Sequence, residues 1–165
     1  MSALLPLEEA QQRLLALARV MGSEEVAVEA ALGRVLATDL NAARTQPPAD
    51  LSAMDGYAVA GEGPWNLVGE SRAGAPFEDA ITAGEAIRIS TGAHMPQGSD
   101  RVLIQENAQV EGTRLATDEP PAAMQHVRHC GFDFADGDTV LAKGTRIGPA
   151  QLARAMAAGH AKRTV

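Results

Sequence analysis

Proline and glycine decide what this chain can become. Sixteen glycines and nine prolines punctuate its 165 residues, most of them between residues 47 and 149. Proline fixes φ and removes an amide donor, and glycine favours turns, so this stretch is cut into segments short for ordinary helices. Strand-like segments lie at 65–69, 86–90, 101–106, 109–111, 113–115, 125–128 and 139–141. Turn signals separate them, among them Gly61-Glu62-Gly63-Pro64, Gly74-Ala75-Pro76, Glu119-Pro120-Pro121 and Asp136-Gly137. Such spacing predicts a β-rich subdomain of short strands over residues 47–141.

The two ends read differently. Leu7, Ala10, Leu14, Leu17, Ala18 and Met21 recur at helical spacing, with Glu8 and Glu9 near the positive end and Gly22 as a terminator. That pattern predicts an amphipathic helix over residues 6–21, within an N-terminal segment 1–22. Residues 25–28 read as a short strand, 29–33 as a helical turn and 34–40 as a second strand. Gly148-Pro149 opens a further helix over 150–158, closed by Gly159. Residues 23–46 and 142–165 then form a small α/β subdomain into which the β-rich one is inserted, so the expected fold class is mixed α/β.

Charge and cysteine content narrow the function. A net charge of −7 weighs against a nucleic-acid partner, because affinity for phosphate backbones comes mainly from Lys and Arg. Cys130 is the only cysteine, which excludes an internal disulfide and disfavours a Cys-based zinc site. No run approaches the ~20 apolar residues of a membrane span, and no export signal opens the chain. A cytoplasmic protein with no membrane association is expected. Aromatic residues make up 3% of the chain, so aliphatic side chains must fill the interior.

Function concentrates in the run Gln46-Pro47-Pro48-Ala49-Asp50-Leu51-Ser52-Ala53-Met54-Asp55-Gly56-Tyr57-Ala58-Val59. Two prolines stiffen its entry, and Asp50 and Ser52 can bond nearby backbone amides. Asp55-Gly56 reads as a turn into a strand starting at Tyr57, presenting the Asp55 carboxylate at a loop-to-strand junction. Asp55 is either a turn former or an acceptor for a ligand or metal. Thr91 is either a turn former after a strand or, with the next amide, an oxyanion donor. Arg128 is either a solvated strand residue or a planar anion clamp. The histidines at 94, 126, 129 and 160 lack metal-ligand spacing, so no metal ligands are assigned.

Ser52-Ala53-Met54-Asp55-Gly56-Tyr57-Ala58, preceded by Pro47-Pro48, resembles the signature of the molybdopterin molybdenumtransferases, the MoeA and gephyrin E-domain family. Ile87-Arg88-Ile89-Ser90-Thr91-Gly92-Ala93, then Met95-Pro96, Gly98, Asp100, Val102 and Glu106, is similar to the family's second block. Val127-Arg128 with Gly131 and Asp133, then Gly144-Thr145-Arg146-Ile147, matches a third block more loosely. Phe132 stands where the family pattern has Glu before Asp133, which removes one carboxylate.

The resemblance implies Asp55 and Asp133 in catalytic roles and Thr91 and Arg128 as cofactor-binding residues. It implies an enzyme that inserts molybdenum from molybdate into adenylylated molybdopterin with Mg²⁺, in a cleft between subunits of a homodimer. The pterin-binding domain of the other subunit supplies the rest of that cleft. This chain stops before such a domain, so it is expected to be inactive alone and to bind none of these ligands tightly. The alternative is a non-catalytic dimerisation or scaffold module. Residues 161–165 resemble the lead-in to the family's next domain.

Overall fold

The structure is a computed structural model that describes residues 5–19 and 21–160. It is β-rich with few helices, and its centre is a six-stranded sheet. In chain order the strands are β1 (Leu40–Asn41), β2 (Leu51–Ser52), β3 (Gly56–Val59), β4 (Trp65–Ser71), β5 (Glu85–Ile89), β6 (Arg101–Ile104), β7 (Gln109–Glu111), β8 (Arg114–Ala116), β9 (Val127–Arg128) and β10 (Thr139–Leu141). The sheet runs β6-β3-β5-β4-β8-β7, with β4 and β5 parallel and every other neighbour antiparallel.

Both faces of the sheet are covered, as the consecutive apolar pairs Ala58-Val59, Ala86-Ile87 and Val102-Leu103 require when successive side chains point to opposite faces. One face buries Ala58, Ile87, Ile89 and Val102 with Ile81 and Ala93 from loops. The other buries Val59, Ala86 and Leu103 with Trp65 and Leu115. Residue pairs Ala58↔Ile87 and Ala58↔Val102 share one side, and Tyr57↔Leu103 the other, so register and burial agree.

A long antiparallel stem leads into this sheet. The outgoing arm pairs with the returning arm at Val35↔Arg146, Leu40↔Leu141, Gln46↔Phe134, Leu51↔Arg128 and Ser52↔Val127. Around its outer end pack Ala42, Phe134, Val140 and Ala158, and then Leu141, Ile147 and Ala155 with Val28, Leu36 and Leu152.

Local elements depart from the sequence-based expectation in several places. Residues 25–28 form no strand; Val28–Ala31 is a 3₁₀ turn, and the strand expected over 34–40 is reduced to the bridge at Val35 and the start of β1. Neither short run has a partner strand long enough to extend it. The N-terminal helix α1 spans Leu7–Ala16, shorter than residues 6–21, and buries none of its residues. The second helix, α2, spans Pro149–Ala155 and passes into a wider turn, Met156–His160, where Gly159 has φ 99°. The lead-in at 161–165 lies outside the described residues. No described helix is long and apolar enough to cross a membrane.

Gly56 needs a different explanation from the turn predicted for it. It opens β3, and its φ is not in the left-handed region. A Cβ there would lie 2.1 Å from the Leu103 carbonyl oxygen and 2.9 Å from Ile104 Cα, so glycine is required by the close approach of β6. Gly56→Ala is therefore expected to cost about 3 kcal/mol in urea denaturation, whereas Gly22→Ala, with no atom within 4 Å of the added methyl, stays within about 0.5 kcal/mol.

Candidate functional site

The site residues lie where the stem meets the sheet. Ser52 is 2% exposed, and its hydroxyl donates to the Met54 carbonyl at 2.5 Å and accepts from the Met54 amide at 3.3 Å, closing a tight turn before Asp55. Backbone bonds hold this turn from three directions. Ser52 N–H donates to Ala93 O at 2.9 Å, Ala53 N–H to His126 O at 2.8 Å, and Gln105 N–H to Asp55 O at 3.2 Å. The loop therefore carries Asp55 on a fixed backbone although the side chain is exposed.

Asp55 meets Thr91 directly. Its Oδ1 accepts from the Thr91 amide at 2.7 Å and from the Thr91 hydroxyl at 3.1 Å. Thr91 follows β5, the strand paired with β3, so sheet register delivers the two residues to the same end. The Oδ2 oxygen has no hydrogen-bond partner among the described residues. Thr91 is exposed as well, so the couple faces solvent.

Arg128 and Asp133 form the second couple. Arg128 lies on β9 opposite Leu51, and its Nη2 is 2.5 Å from Asp133 Oδ2, with side chains 43% and 35% exposed. Its guanidinium carbon also stands 5.7 Å from the centre of the Phe132 ring. Gly131 N–H donates to Pro47 O and Asp133 N–H to Gln46 O, each at 3.0 Å, so the proline loop anchors this segment too. Among the described residues, no hydrogen bond or ion pair joins one couple to the other. The stem brings them to neighbouring positions through Leu51 and Ser52, and each is internally paired.

Three features were not evident from the sequence. Asp50, read as bonding nearby amides, accepts from the Cys130 amide at 2.7 Å, eighty positions away, and its Oδ2 is 3.8 Å from His129 Nδ1. No local signal marks such a bond; only the arm pairing creates it. The Arg128–Phe132 contact was likewise missed, although i,i+4 spacing of Arg and an aromatic was there to see. Glu106, expected to end a strand, lies in the 3₁₀ turn Gln105–Asn107 beyond β6. Asp100 instead grips Arg101, at 2.8 and 2.9 Å. Cys130 is a free, exposed thiol, and among the described residues no three His, Cys, Asp or Glu side chains cluster as metal ligands.

Two shallow clefts of about 250 and 270 Å³ flank β6 and β7, and none of Asp55, Thr91, Arg128 or Asp133 lines either. These features define a class of protein: a β-rich module that presents paired polar side chains on its outer surface. Comparison with known proteins is consistent with this and more specific. A family model described as the MoeA N-terminal region (domain I and II) matches residues 5–159. The molybdopterin molybdenumtransferase of Haemophilus influenzae is 35% identical over 136 residues, covering 79% of this chain and 34% of that protein. Gephyrin of Dictyostelium discoideum is 32% identical over 148 residues, covering 78% of this chain and 21% of its own length. A crystal structure of the molybdopterin biosynthesis MoeA protein from Pyrococcus horikoshii OT3 superposes with a TM-score of 0.81 at 34% identity, covering 95% of this chain and 44% of that one.

The chain belongs to the MoeA family, as its N-terminal region. It spans about a third of the length of the Haemophilus relative. The geometry at Asp55 makes a local claim that does not depend on chemistry. Asp55→Ala removes the acceptor for two Thr91 donors, so hydrogen exchange at the Thr91 amide is expected to accelerate about tenfold, with a global stability loss of about 1 kcal/mol.

Proposed function

We propose that this chain is the N-terminal portion of an enzyme of molybdenum cofactor biosynthesis that inserts molybdenum from molybdate into adenylylated molybdopterin. The observation carrying this reading is the Asp55–Thr91 couple, held on a rigid loop and open to solvent at the end of the sheet. Two residues singled out by separate sequence blocks meet at one point, and neither is consumed by packing. The face they share is one wall of a cleft, and the pterin-binding domain of a partner subunit in a homodimer supplies the opposite wall. Alone, the chain is inactive and holds none of these ligands tightly. It works in the cytoplasm.

Each side chain has a definite task in this reading. Asp55 Oδ2 accepts from a ligand hydroxyl or pterin N–H while Thr91 fixes the direction of the carboxylate through Oδ1. Arg128 keeps one arm of its guanidinium on Asp133 and offers its remaining N–H groups to an oxyanion. Asp133 aims that clamp. Mg²⁺ fits this donor set as an ion carried with the substrate, because Asp55 has one oxygen to give and Mg²⁺ commonly combines one or two carboxylates with substrate phosphates and water. When bound, it would neutralise phosphate charge beside an acidic protein. Among the described residues, 23–46 and 142–160 act as the small unit from which 47–141 project, with β10 at the seam.

A second reading, a dimerisation or scaffold module, is favoured by α1. Leu7, Leu14 and Leu15 are 68%, 69% and 73% exposed, and just beyond the helix Leu17 is 79% exposed, an apolar surface that no described residue covers.

The two readings separate in one experiment: mixing this chain with the remaining C-terminal part of a MoeA relative and assaying molybdenum insertion. Activity is expected only with both components, and Asp55→Ala is expected to lower it about a hundredfold or more. An Asp55→Ala mixture as active as the parent would overturn the catalytic reading, and loss of assembly in Leu14→Glu with Asp55 intact would favour the scaffold. For the anion clamp, calorimetric titration of the mixture with molybdate is expected to show weaker binding in Arg128→Ala. Asp133→Asn should strengthen it about threefold, since a neutral side chain no longer competes for the guanidinium or repels the anion.

A further inference from the structure

We propose that Phe132 and Arg128 form a composite subsite for a phosphorylated planar heterocycle, the ring stacking on Phe132 and the phosphate on Arg128. This rests on the reading of Arg128 as an anion clamp and adds a specificity-determining residue that the family pattern does not supply. The chain has five aromatic residues, and Trp65, Tyr57, Phe77 and Phe134 are all buried or half-buried. Phe132 alone is exposed, at 70%. Loose backbone is not the reason. Its amide donates to His129 O at 3.0 Å, and the residues on either side donate to Pro47 O and Gln46 O at 3.0 Å. A ring held out by a fixed backbone loses little freedom when something packs on it, which is why such aromatics serve as anchors.

The neighbour of the ring selects the ligand. The Arg128 guanidinium carbon sits 5.7 Å from the ring centre, within cation–π range, so the two groups are held as one unit. Its ion pair with Asp133 is substantially exposed on both sides, and such pairs are weak enough for a doubly charged phosphate to compete. Stacking surface and anion site are thus adjacent, which fits a ligand carrying both a π-face and a phosphate. At position 132 the resemblance leads one to expect a glutamate. A carboxylate there offers no stacking surface, whereas the phenyl ring adds one without charge.

The subsite is tested by NMR titration of the chain with two probes, AMP and ribose 5-phosphate, which share the phosphate and differ in the ring. AMP is expected to bind about fivefold tighter, with shifts at the Phe132 ring protons and at Arg128. In Phe132→Leu the difference should vanish while ribose 5-phosphate binds as before; in Phe132→Trp it should persist. Equal affinity for both probes in the parent chain, or an AMP preference that survives Phe132→Leu, overturns the stacking role and leaves the anion clamp standing. Binding of neither probe at millimolar concentration overturns both. If AMP binding is unchanged in Phe132→Leu but association with the C-terminal part of a MoeA relative weakens, the ring is a protein anchor and the subsite proposal fails.

Discussion

The structure depends on backbone pairing between two arms far apart in the chain, residues 33–53 going out and 126–147 coming back. The cross-arm bonds include Gly33 N–H to Ile147 O at 2.7 Å, Ala42 N–H to Asp138 O at 2.7 Å and Ala53 N–H to His126 O at 2.8 Å. Closing so long a loop costs entropy that grows only slowly with its length, and the sheet inside the loop supplies most of the apolar burial. The stem therefore acts less as a core than as an alignment device. It decides which residues stand side by side where it enters the sheet, and Arg128 and Asp133 are positioned by that entry.

The site that results is unusual in its distribution of charge. Asp55 is satisfied by two neutral donors of one residue, while Arg128 is balanced by a carboxylate and a ring on its own segment. Arg128 is charge-paired while Asp55 keeps its charge, and both couples stay in water, so neither incurs the desolvation penalty that buried charges carry. On an acidic chain this keeps one cation pointed outward without a surrounding field of positive charge. On the reading proposed above, recognition of an anion rests on the fork geometry of a single guanidinium more than on long-range attraction.

Sequence and structure agree best where the signal is local. Strands β4, β5, β7 and β10 fall close to the segments marked out by Gly and Pro, because turn residues act on their immediate neighbours. Asp55 and Thr91 were singled out through their motifs, but nothing in either motif says that they touch. What failed was every inference that needed a partner to be known. Residues 25–28 read as a short strand but have no neighbouring strand to pair with, and the leucines of α1 have no described surface to cover them. Gly56 was attributed to a turn because φ is the usual reason for Gly after Asp; the real reason, a carbonyl of β6 pressed against its Cα, lies forty-seven positions further on. Asp50 was misread in the same way.

The arrangement of strands also sets an order of events during synthesis. All six strands of the sheet, β3 to β8, precede β9 and β10 in the chain, so they emerge from the ribosome first. The carboxylate and threonine half of the site belongs to that early product, and the guanidinium half arrives with the closing arm. A nascent chain halted between the two would expose a finished sheet with an unzipped base, so the second half of the site doubles as the clasp that closes this module.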